Sequence, residues 1–398
     1  MKPPKILIAG LLALSTLGVT QAQTTIHITG STAFRNAAVA GITNILKPGF
    51  SYGYVGASFS GANQQIFVGI AVTNSIPVVI KTSWSGAAGG VQTVVQQYPI
   101  ATWLTNIPAY LSPTGVSITS SPIYDPPTPP DAGFDDGIQA TTPLPNCQSP
   151  VLSVQNLGAV TFQFVKNVGA PAGLTNMTPL LAQALWANGS LPLSMWTGNA
   201  NDTTLVYPIG RDADSGTRKT TFLETGIQNF VTGVTPTTVL QYEPLNASGQ
   251  VNRNNTGAIT SQVAWPAEIV DGVSFDVGDG GYSSGGDLAQ VLKTTSPFVY
   301  VSYLGLGDAT TALAGGAASI SWNGIPYSDA AIENGQYTFW AFEQLGYLPT
   351  YGTTSANGKA VVDSLAQEII SVGAANGGEL LSTMHVTRTQ EGGPVTPK

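Results

Sequence analysis

The segment Thr204-Leu205-Val206-Tyr207-Pro208-Ile209-Gly210-Arg211-Asp212-Ala213-Asp214-Ser215-Gly216-Thr217-Arg218 joins an apolar run to the start of a predicted helix over 219–230. A strand that ends in a small-residue turn and opens a helix leaves unpaired backbone N–H groups directed at one point. These donors, together with the positive end of the helix dipole, favour an anion there. The alternative is an N-cap serine on an ordinary surface helix, because serine is among the commonest N-cap residues.

The side chains of this segment suit anion binding. Ser215 and Thr217 carry hydroxyl donors, and Gly216 lets the backbone approach a ligand closely. Arg211 adds a planar positive fork that fits a tetrahedral oxyanion. The segment therefore predicts an oxyanion site at the start of this helix.

The same order of strand, small-residue turn and helix occurs at two further places. Residues 25–28 alternate like a strand and lead through Gly30-Ser31-Thr32 into a helical pattern over 33–46. Residues 78–81 form a β-branched strand, followed by the small-residue turn 83–90 and a helical pattern from 91 to about 98. Three such helix starts predict several sets of anion donors.

The rest of the chain continues the alternation of strands and helices. The sequence predicts strands over 160–167 and 298–304, helices over 174–186, 333–346 and 358–373, and a Pro-rich loop over 111–150. Strands that alternate with helices predict an α/β protein with largely parallel sheets.

Composition limits the classes of partner. Residues 1–22 carry Lys2 and Lys5 before a short apolar stretch, which predicts a secretory signal peptide that is too short to span a membrane. Without those two lysines the chain has 14 − 2 = 12 basic and 22 acidic residues, a formal charge of 12 − 22 = −10. Such a charge argues against nucleic acid and anionic membranes as partners, but it leaves room for a small buried anion. Cys147 is the only cysteine, which excludes an intramolecular disulfide, and an inert thiol is the favoured interpretation.

Three other patterns are weighed against simpler interpretations. Residues 281–285 match the GxSxG pattern of serine hydrolases, but the residues before them predict a loop and the chain has only His27 and His385. Asp276, Asp279 and Asp287 fit no EF-hand spacing, so a solvated loop is favoured over calcium binding. Three tryptophans are candidates for stacking on sugars or, more simply, for packing: Trp84, Trp186 and Trp196.

Taken together, the motifs resemble the phosphate-binding proteins of ABC transporters, in the type II periplasmic binding-protein superfamily. The matching pieces, in the family's order, are Gly30-Ser31-Thr32, Gly86-Ala87-Ala88-Gly89-Gly90-Val91, residues 160–167, Arg211 with Ser215-Gly216-Thr217, residues 300–305, and 332–337 with Trp340 and Glu343. The resemblance implies two α/β lobes with mostly parallel sheets, helices on both faces and crossing hinge strands. Lobe 1 is then expected over 24–157 plus 304–398, and lobe 2 over 158–303, with the ligand between them.

The resemblance also implies a ligand set. It consists of Thr32 and the N–H of Ala33, the second helix start around Ala88, and Arg211, Ser215, Gly216 and Thr217 from the other lobe. A carboxylate that accepts a hydrogen bond from a protonated oxyanion belongs to the same set. Asp136 is the first candidate for it and Asp135 the second. A fully deprotonated oxyanion would place two buried acceptors face to face, which is how such a site rejects sulfate.

Two positions depart from the family. Ala88 stands where a hydroxyl residue is usual, and Ala213 stands where an acidic residue often pairs with the arginine, with Asp212 and Asp214 on either side.

The sequence thus predicts a periplasmic or secreted, monomeric solute-binding protein with no catalytic step, no metal and no cofactor. Its expected ligand is a tetrahedral oxyanion, phosphate first, and its expected partner is an inner-membrane ABC permease. The alternatives are a binder of another oxyanion or small acidic solute, and a secreted surface protein that kept the scaffold without the ligand.

Overall fold

The structure of the protein is a computed structural model that describes residues 23–99, 101–227, 239–372 and 378–398. Within these residues the α-helices are α1 Arg35–Asn44, α2 Ala87–Gln96, α3 Pro179–Asn188, α4 Ser194–Thr197, α5 Gly216–Thr225, α6 Gly285–Leu292, α7 Leu306–Ala314, α8 Asp329–Glu333, α9 Tyr351–Thr354 and α10 Ala356–Val372. The predicted signal peptide lies outside the described residues, as do positions 228–230 and 373 of two predicted helices.

The strands are β1 Thr24–Gly30, β2 Ser51–Val55, β3 Gln64–Ile70, β4 Pro77–Ser83, β5 Val116–Ile118, β6 Ala132–Asp136, β7 Ser153–Lys166, β8 Asn176–Met177, β9 Leu191–Pro192, β10 Leu205–Pro208, β11 Tyr242–Asn246, β12 Gly249–Gln250, β13 Ser261–Ala264, β14 Glu268–Val270, β15 Val273–Phe275, β16 Val299–Gly305, β17 Ala318–Trp322, β18 Trp340–Tyr347, β19 Gly378–Glu379, β20 Val386–Thr387 and β21 Thr396–Pro397. The predicted α/β class is confirmed.

One mixed sheet runs through the molecule in the order β5-β2-β3-β4-β1-β6-β18-β7-β16-β10-β9. Parallel pairing occurs where β4, β1 and β6 lie side by side and again between β16 and β10. The long strand β7 joins the two regions, because it pairs antiparallel with β18 along its first part and with β16 along its last. These crossing strands add antiparallel pairs at the centre of the sheet.

Helices cover both faces of the first half of the sheet. Ile26 and Ile28 of β1 pack with Leu365 and Ile369 of α10, while α1 packs against α10. On the other face α2 lies against β6, and its Val91 and Val94 share a core with Cys147. Because side chains alternate along a strand, one strand serves both cores.

The second half of the sheet, formed by the end of β7 with β16, β10 and β9, has a core of its own. Phe164 of β7 packs with Trp186 of α3 and Phe222 of α5. Trp322 of β17 and Ile332 of α8 join this core, although the predicted division assigns both to the returning part of lobe 1. The exact division into lobes stays a prediction.

Two of the predicted elements are wrong. Residues 340–346 of the predicted helix over 333–346 belong to strand β18, and part of the predicted loop over 111–150 is β6 at the centre of the sheet. All five β6 residues are buried, and so are seven of the eight β18 residues. A strand covered on both faces shows no alternation of apolar and polar residues, so its period cannot be told from that of a buried helix.

Candidate functional site

Three helix starts and the end of β6 meet between the two halves. A Cβ atom added to Gly216 at the start of α5 would lie 2.7 Å from the Cβ atoms of both Ala87 and Asp136. At the other edge of this group, a Cβ on Gly90 would lie 2.5 Å from the Cα of Gly30, which precedes α1. Glycine is required at both points because any side chain would separate the backbones. The predicted site residues around α2, α5 and β6 are therefore brought together.

The start of α5 is capped by its own serine. The Oγ of Ser215 accepts a hydrogen bond from the N–H of Arg218 at 3.2 Å, in the manner of an N-cap. Ser215, Gly216 and Thr217 are all buried. The serine is an N-cap residue, as the simpler interpretation expects, but the helix start is buried and does not lie on the surface; anion binding there stays a prediction.

Arg211 is buried and held by backbone carbonyl groups. Its Nε donates to the carbonyl of Tyr282 at 2.9 Å and its Nη2 donates to that of Ser283 at 3.0 Å. The backbone N–H of Arg211 also donates to the hydroxyl of Tyr303 at 3.2 Å. The guanidinium fork therefore fixes the turn before α6, which is a structural role that the sequence did not predict.

The start of α2 is occupied by an acidic residue from the α5 turn. The N–H of Ala88 donates to the backbone carbonyl of Asp214 at 3.0 Å, and the N–H of Gly89 donates to the Asp214 carboxyl at 2.5 Å. The backbone donors that the sequence assigned to an anion are thus engaged within the chain in this arrangement.

The first donors of α1 are also engaged within the chain. The Oγ of Ser31 accepts the N–H groups of Ala33 at 3.1 Å and of Phe34 at 3.3 Å. Thr32 lies beside them and lines a cleft cavity of about 560 Å³.

The walls of this cavity are mostly polar, and acidic residues outnumber basic ones among them. They include the hydroxyl residues Thr32, Ser83, Ser85, Ser283 and Ser284, the acids Asp212, Asp214, Glu268, Asp271 and Asp287, and the base Arg253. Arg253 forms an ion pair with Asp287 at 3.0 Å. The cavity thus offers many hydroxyl groups, but its one basic wall residue is already paired.

The two carboxylate candidates of β6 differ in their surroundings. Asp135 accepts hydrogen bonds from the buried ammonium of Lys219 at 2.7 and 3.0 Å, so its charge is paired. Asp136 lies against Gly216, and its Oδ1 is buried without a hydrogen-bond partner. Beside it, burial and the charge of Asp136 hold the pKa of Glu343 well above its usual range. Of the two acids, Asp136 is the one in contact with the start of α5, and its gating role stays a prediction.

A second group of acids lies at the start of α2, and we call Asp212, Asp214 and Asp271 the cleft cluster. Burial raises the pKa of Asp212 to about 7 against the opposing charge of Arg211. Burial and the neighbouring carboxyls of Asp271 and Asp212 raise the pKa of Asp214 well above its usual range. The surroundings of these carboxyls therefore make them bind protons more tightly than solvated carboxyls do.

The weaker patterns have structural explanations. Ser283 precedes α6, while His27 pairs with Asp131 and His385 with Asn334. Asp279 and Asp287 form ion pairs with Arg218 and Arg253. Trp84 and Trp186 are buried, the indole of Trp196 donates to the carbonyl of Asn176, and Cys147 is a buried free thiol. In the described ranges no three His, Cys, Asp or Glu side chains form a group that could hold a metal ion.

The sequence reasoning missed the hairpin that brings Asp271 to the cleft. Strands β14 and β15 are joined by Asp271 and Gly272, both with positive φ values of 49° and 80°. An Asp-Gly pair between apolar residues is a strong signal for a two-residue hairpin turn, so this element could have been predicted. Its contact with α2 could not, because it joins distant parts of the chain.

Comparisons with known proteins give structural likeness without sequence likeness. No family model matches the chain, and no curated protein matches it in sequence. A solved substrate-binding protein assigned to phosphate ABC transport in Clostridium perfringens, with phosphate bound, is 11% identical over 90% of this chain and 100% of its own, with a TM-score of 0.49. An ABC-type phosphate transport receptor from Vibrio cholerae is 11% identical over 89% of this chain and 99% of its own, with a TM-score of 0.48. Both belong to the class that the sequence motifs resemble. In the part of the chain that the structure describes, no helix is both long and apolar enough to cross a membrane.

Proposed function

We propose that the protein is an extracytoplasmic solute-binding protein that captures a tetrahedral oxyanion, phosphate first, between its two halves. The proposal rests on one observation. Gly216 at the start of α5 lies within contact distance of both Ala87 at the start of α2 and Asp136 at the end of β6. Helix starts on two sides of a cleft suit a small anion once the internal acceptors at α2 are displaced, because each start supplies backbone N–H donors.

In this proposal the α5 start is the main contributor. Thr217 supplies a hydroxyl donor, Gly216 allows close approach, and Asp136 accepts the proton of a protonated oxyanion. Delivery to an inner-membrane ABC permease, a monomeric state and location beyond the cytoplasm belong to the same proposal, which includes no catalytic step.

The test is calorimetric titration of the mature protein, stripped of ligand by partial unfolding, with phosphate and then sulfate. Thr217→Val keeps the size of the side chain and removes its hydroxyl, so we expect phosphate binding to weaken by about tenfold. Thr225→Val is the matched control, because the Thr225 hydroxyl donates to the carbonyl of Thr221 at the far end of α5. Arg211 is a poorer test because its fork also fixes the turn at Ser283.

A second function is favoured by the acids in the cleft. Asp214 at the α2 start, together with Ala88 and Ala213, is what we expect of a secreted protein that kept the scaffold and lost the anion. Silence towards both phosphate and sulfate in a folded protein supports this function and contradicts the first. One-to-one binding of sulfate without phosphate instead identifies a binder of another oxyanion.

A further inference from the structure

The backbone at the start of α2 leaves space for the Asp214 side chain. A Cβ on Gly86 would lie 2.3 Å from the Asp214 Cγ, and a Cβ on Gly89 would lie 2.7 Å from its Oδ1. Real Cβ contacts are longer than this, so the Asp214 carboxyl fits only because both residues are glycine. The side chain is 5% exposed, and the main-chain carbonyl of the same residue accepts the N–H of Ala88 at 3.0 Å.

A second carboxyl approaches the same helix start from the β14–β15 hairpin. The Oδ2 of Asp271 would lie 2.6 Å from a Cβ on Gly89, and it is buried without a hydrogen-bond partner. Val273 and Phe275 of the hairpin pack against the core that contains Ala88 and Val91. The hairpin thus holds a second acid beside the first.

The charged groups that face Asp214 do not neutralise it by direct contact. Arg218 pairs with Asp279, Arg253 pairs with Asp287, and Arg211 binds backbone carbonyls. Asp212 and Asp271 are acidic neighbours of Asp214, and Glu268 lines the same cavity. A helix start stabilises one negative charge in its vicinity, and further carboxyls repel it.

We propose that the Asp214 carboxyl occupies, in the empty protein, the position at the α2 start where the ligand anion binds, so that an incoming oxyanion must displace it. This inference rests on the proposed function, because it concerns the affinity and selectivity of that site. The proposal also accounts for Ala88, which stands where related proteins usually have a hydroxyl residue. An internal carboxyl already accepts the hydrogen bonds of this helix start.

The displacement depends on pH with a definite sign. The closed arrangement raises the pKa of Asp214 and its neighbours, so it binds protons more tightly than an open, solvated cleft. Occupation by Asp214 is therefore favoured in acid and weakens as the pH rises from the ordinary carboxyl range through the raised pKa. A rise in pH therefore favours release of the Asp214 carboxyl from the start of α2.

The experiment compares the phosphate-free wild-type protein with Asp214→Ala by small-angle X-ray scattering at pH 5 and pH 8. We expect the wild-type radius of gyration to increase from pH 5 to pH 8, and that of Asp214→Ala to be already increased at pH 5. At pH 5 the variant is expected to bind phosphate about tenfold more tightly than wild type, because the Asp214 carboxyl no longer competes for the hydrogen-bond donors of α2. Asp276→Asn is the control. Asp276 is an exposed acid directly after β15, and this variant is expected to behave like wild type.

Asp214→Asn covers the case in which the alanine variant does not fold. It keeps the shape and an acceptor oxygen but cannot titrate, so the radius of gyration is expected to lose its pH dependence. An unchanged radius of gyration in the variants, with phosphate affinity equal to or weaker than wild type, overturns the inference. If no protein binds phosphate but Asp214→Ala still opens, the proposed function fails while Asp214 remains the closing contact.

Discussion

Two groups of acidic residues lie around the starts of α2 and α5, and they are neutralised in different ways. The strand cluster consists of Asp135, Asp136, Glu343 and Glu391 around the ammonium of Lys219, whose side chain has no exposed surface. The cleft cluster, Asp212, Asp214 and Asp271, has no ion pair with lysine or arginine in the described residues.

The difference separates a fixed contact from a movable one. Burial alone lowers the pKa of Lys219, but the carboxylates of Asp135 and Glu391 outweigh it and the net pKa is raised. The strand cluster therefore keeps its cation at any physiological pH. The carboxyls of the cleft cluster are neutralised by bound protons and by hydrogen bonds from the N–H groups of α2. A rise in pH removes the protons, and a ligand can take over the hydrogen bonds.

The largest expected effect comes from removing the cation of the strand cluster. Lys219→Met leaves Asp135 buried without its partner, so we expect the free energy of unfolding to fall by about 3–5 kcal/mol in urea titrations at pH 7. Lys359→Met is the control, because Lys359 pairs with Asp363 at the surface, where ion pairs contribute little. Equal losses in the two variants would show that the ammonium does not hold the strand cluster together.

A smaller effect is expected at Glu343, which shares the strand cluster but is held neutral. Its raised pKa means that the folded state binds this proton more tightly, so its contribution to stability is present in acid and is lost as the pH rises through that pKa. Glu343→Gln mimics the neutral form. We expect it to lie within about 1 kcal/mol of wild type at pH 6 and to be the more stable protein at pH 9, measured by urea unfolding.

Glu333→Gln, at the half-buried last residue of α8, is the control for this comparison. Parallel pH dependence in wild type and Glu343→Gln would mean that Glu343 is ionised in the folded protein.

The same two clusters show what the sequence could predict. The helices after the turns at Gly30, Gly86 and Gly210 follow from turn residues next to apolar strands, which are local signals. The structure has α1, α2 and α5 there, which begin at Arg35, Ala87 and Gly216. The resemblance to binding proteins implies that these helix starts face one ligand. Gly216 of α5 contacts Ala87 of α2 and Asp136, and the ligand set itself stays a prediction.

The sequence could not predict which groups accept the hydrogen bonds of the helix starts. The bond between Gly89 and Asp214 joins residues 125 positions apart, and no local pattern encodes such a contact. The same reason explains β18 and β6: each is recognisable as a strand only through the neighbours that bury both of its faces.

The smallest expected effect concerns the turn that carries Asp271 to the cleft cluster. Gly272 has a φ of 80° and open space around its missing side chain, so Gly272→Ala strains only the backbone, by about 1 kcal/mol. Gly324→Ala is the matched control, because Gly324 has a φ of 81° and is equally open, in a turn away from the cleft. We expect both variants to lose similar stability in thermal unfolding, while only Gly272→Ala weakens the pH dependence of the radius of gyration. If Gly324→Ala changes it equally, the hairpin does not act on the cleft cluster.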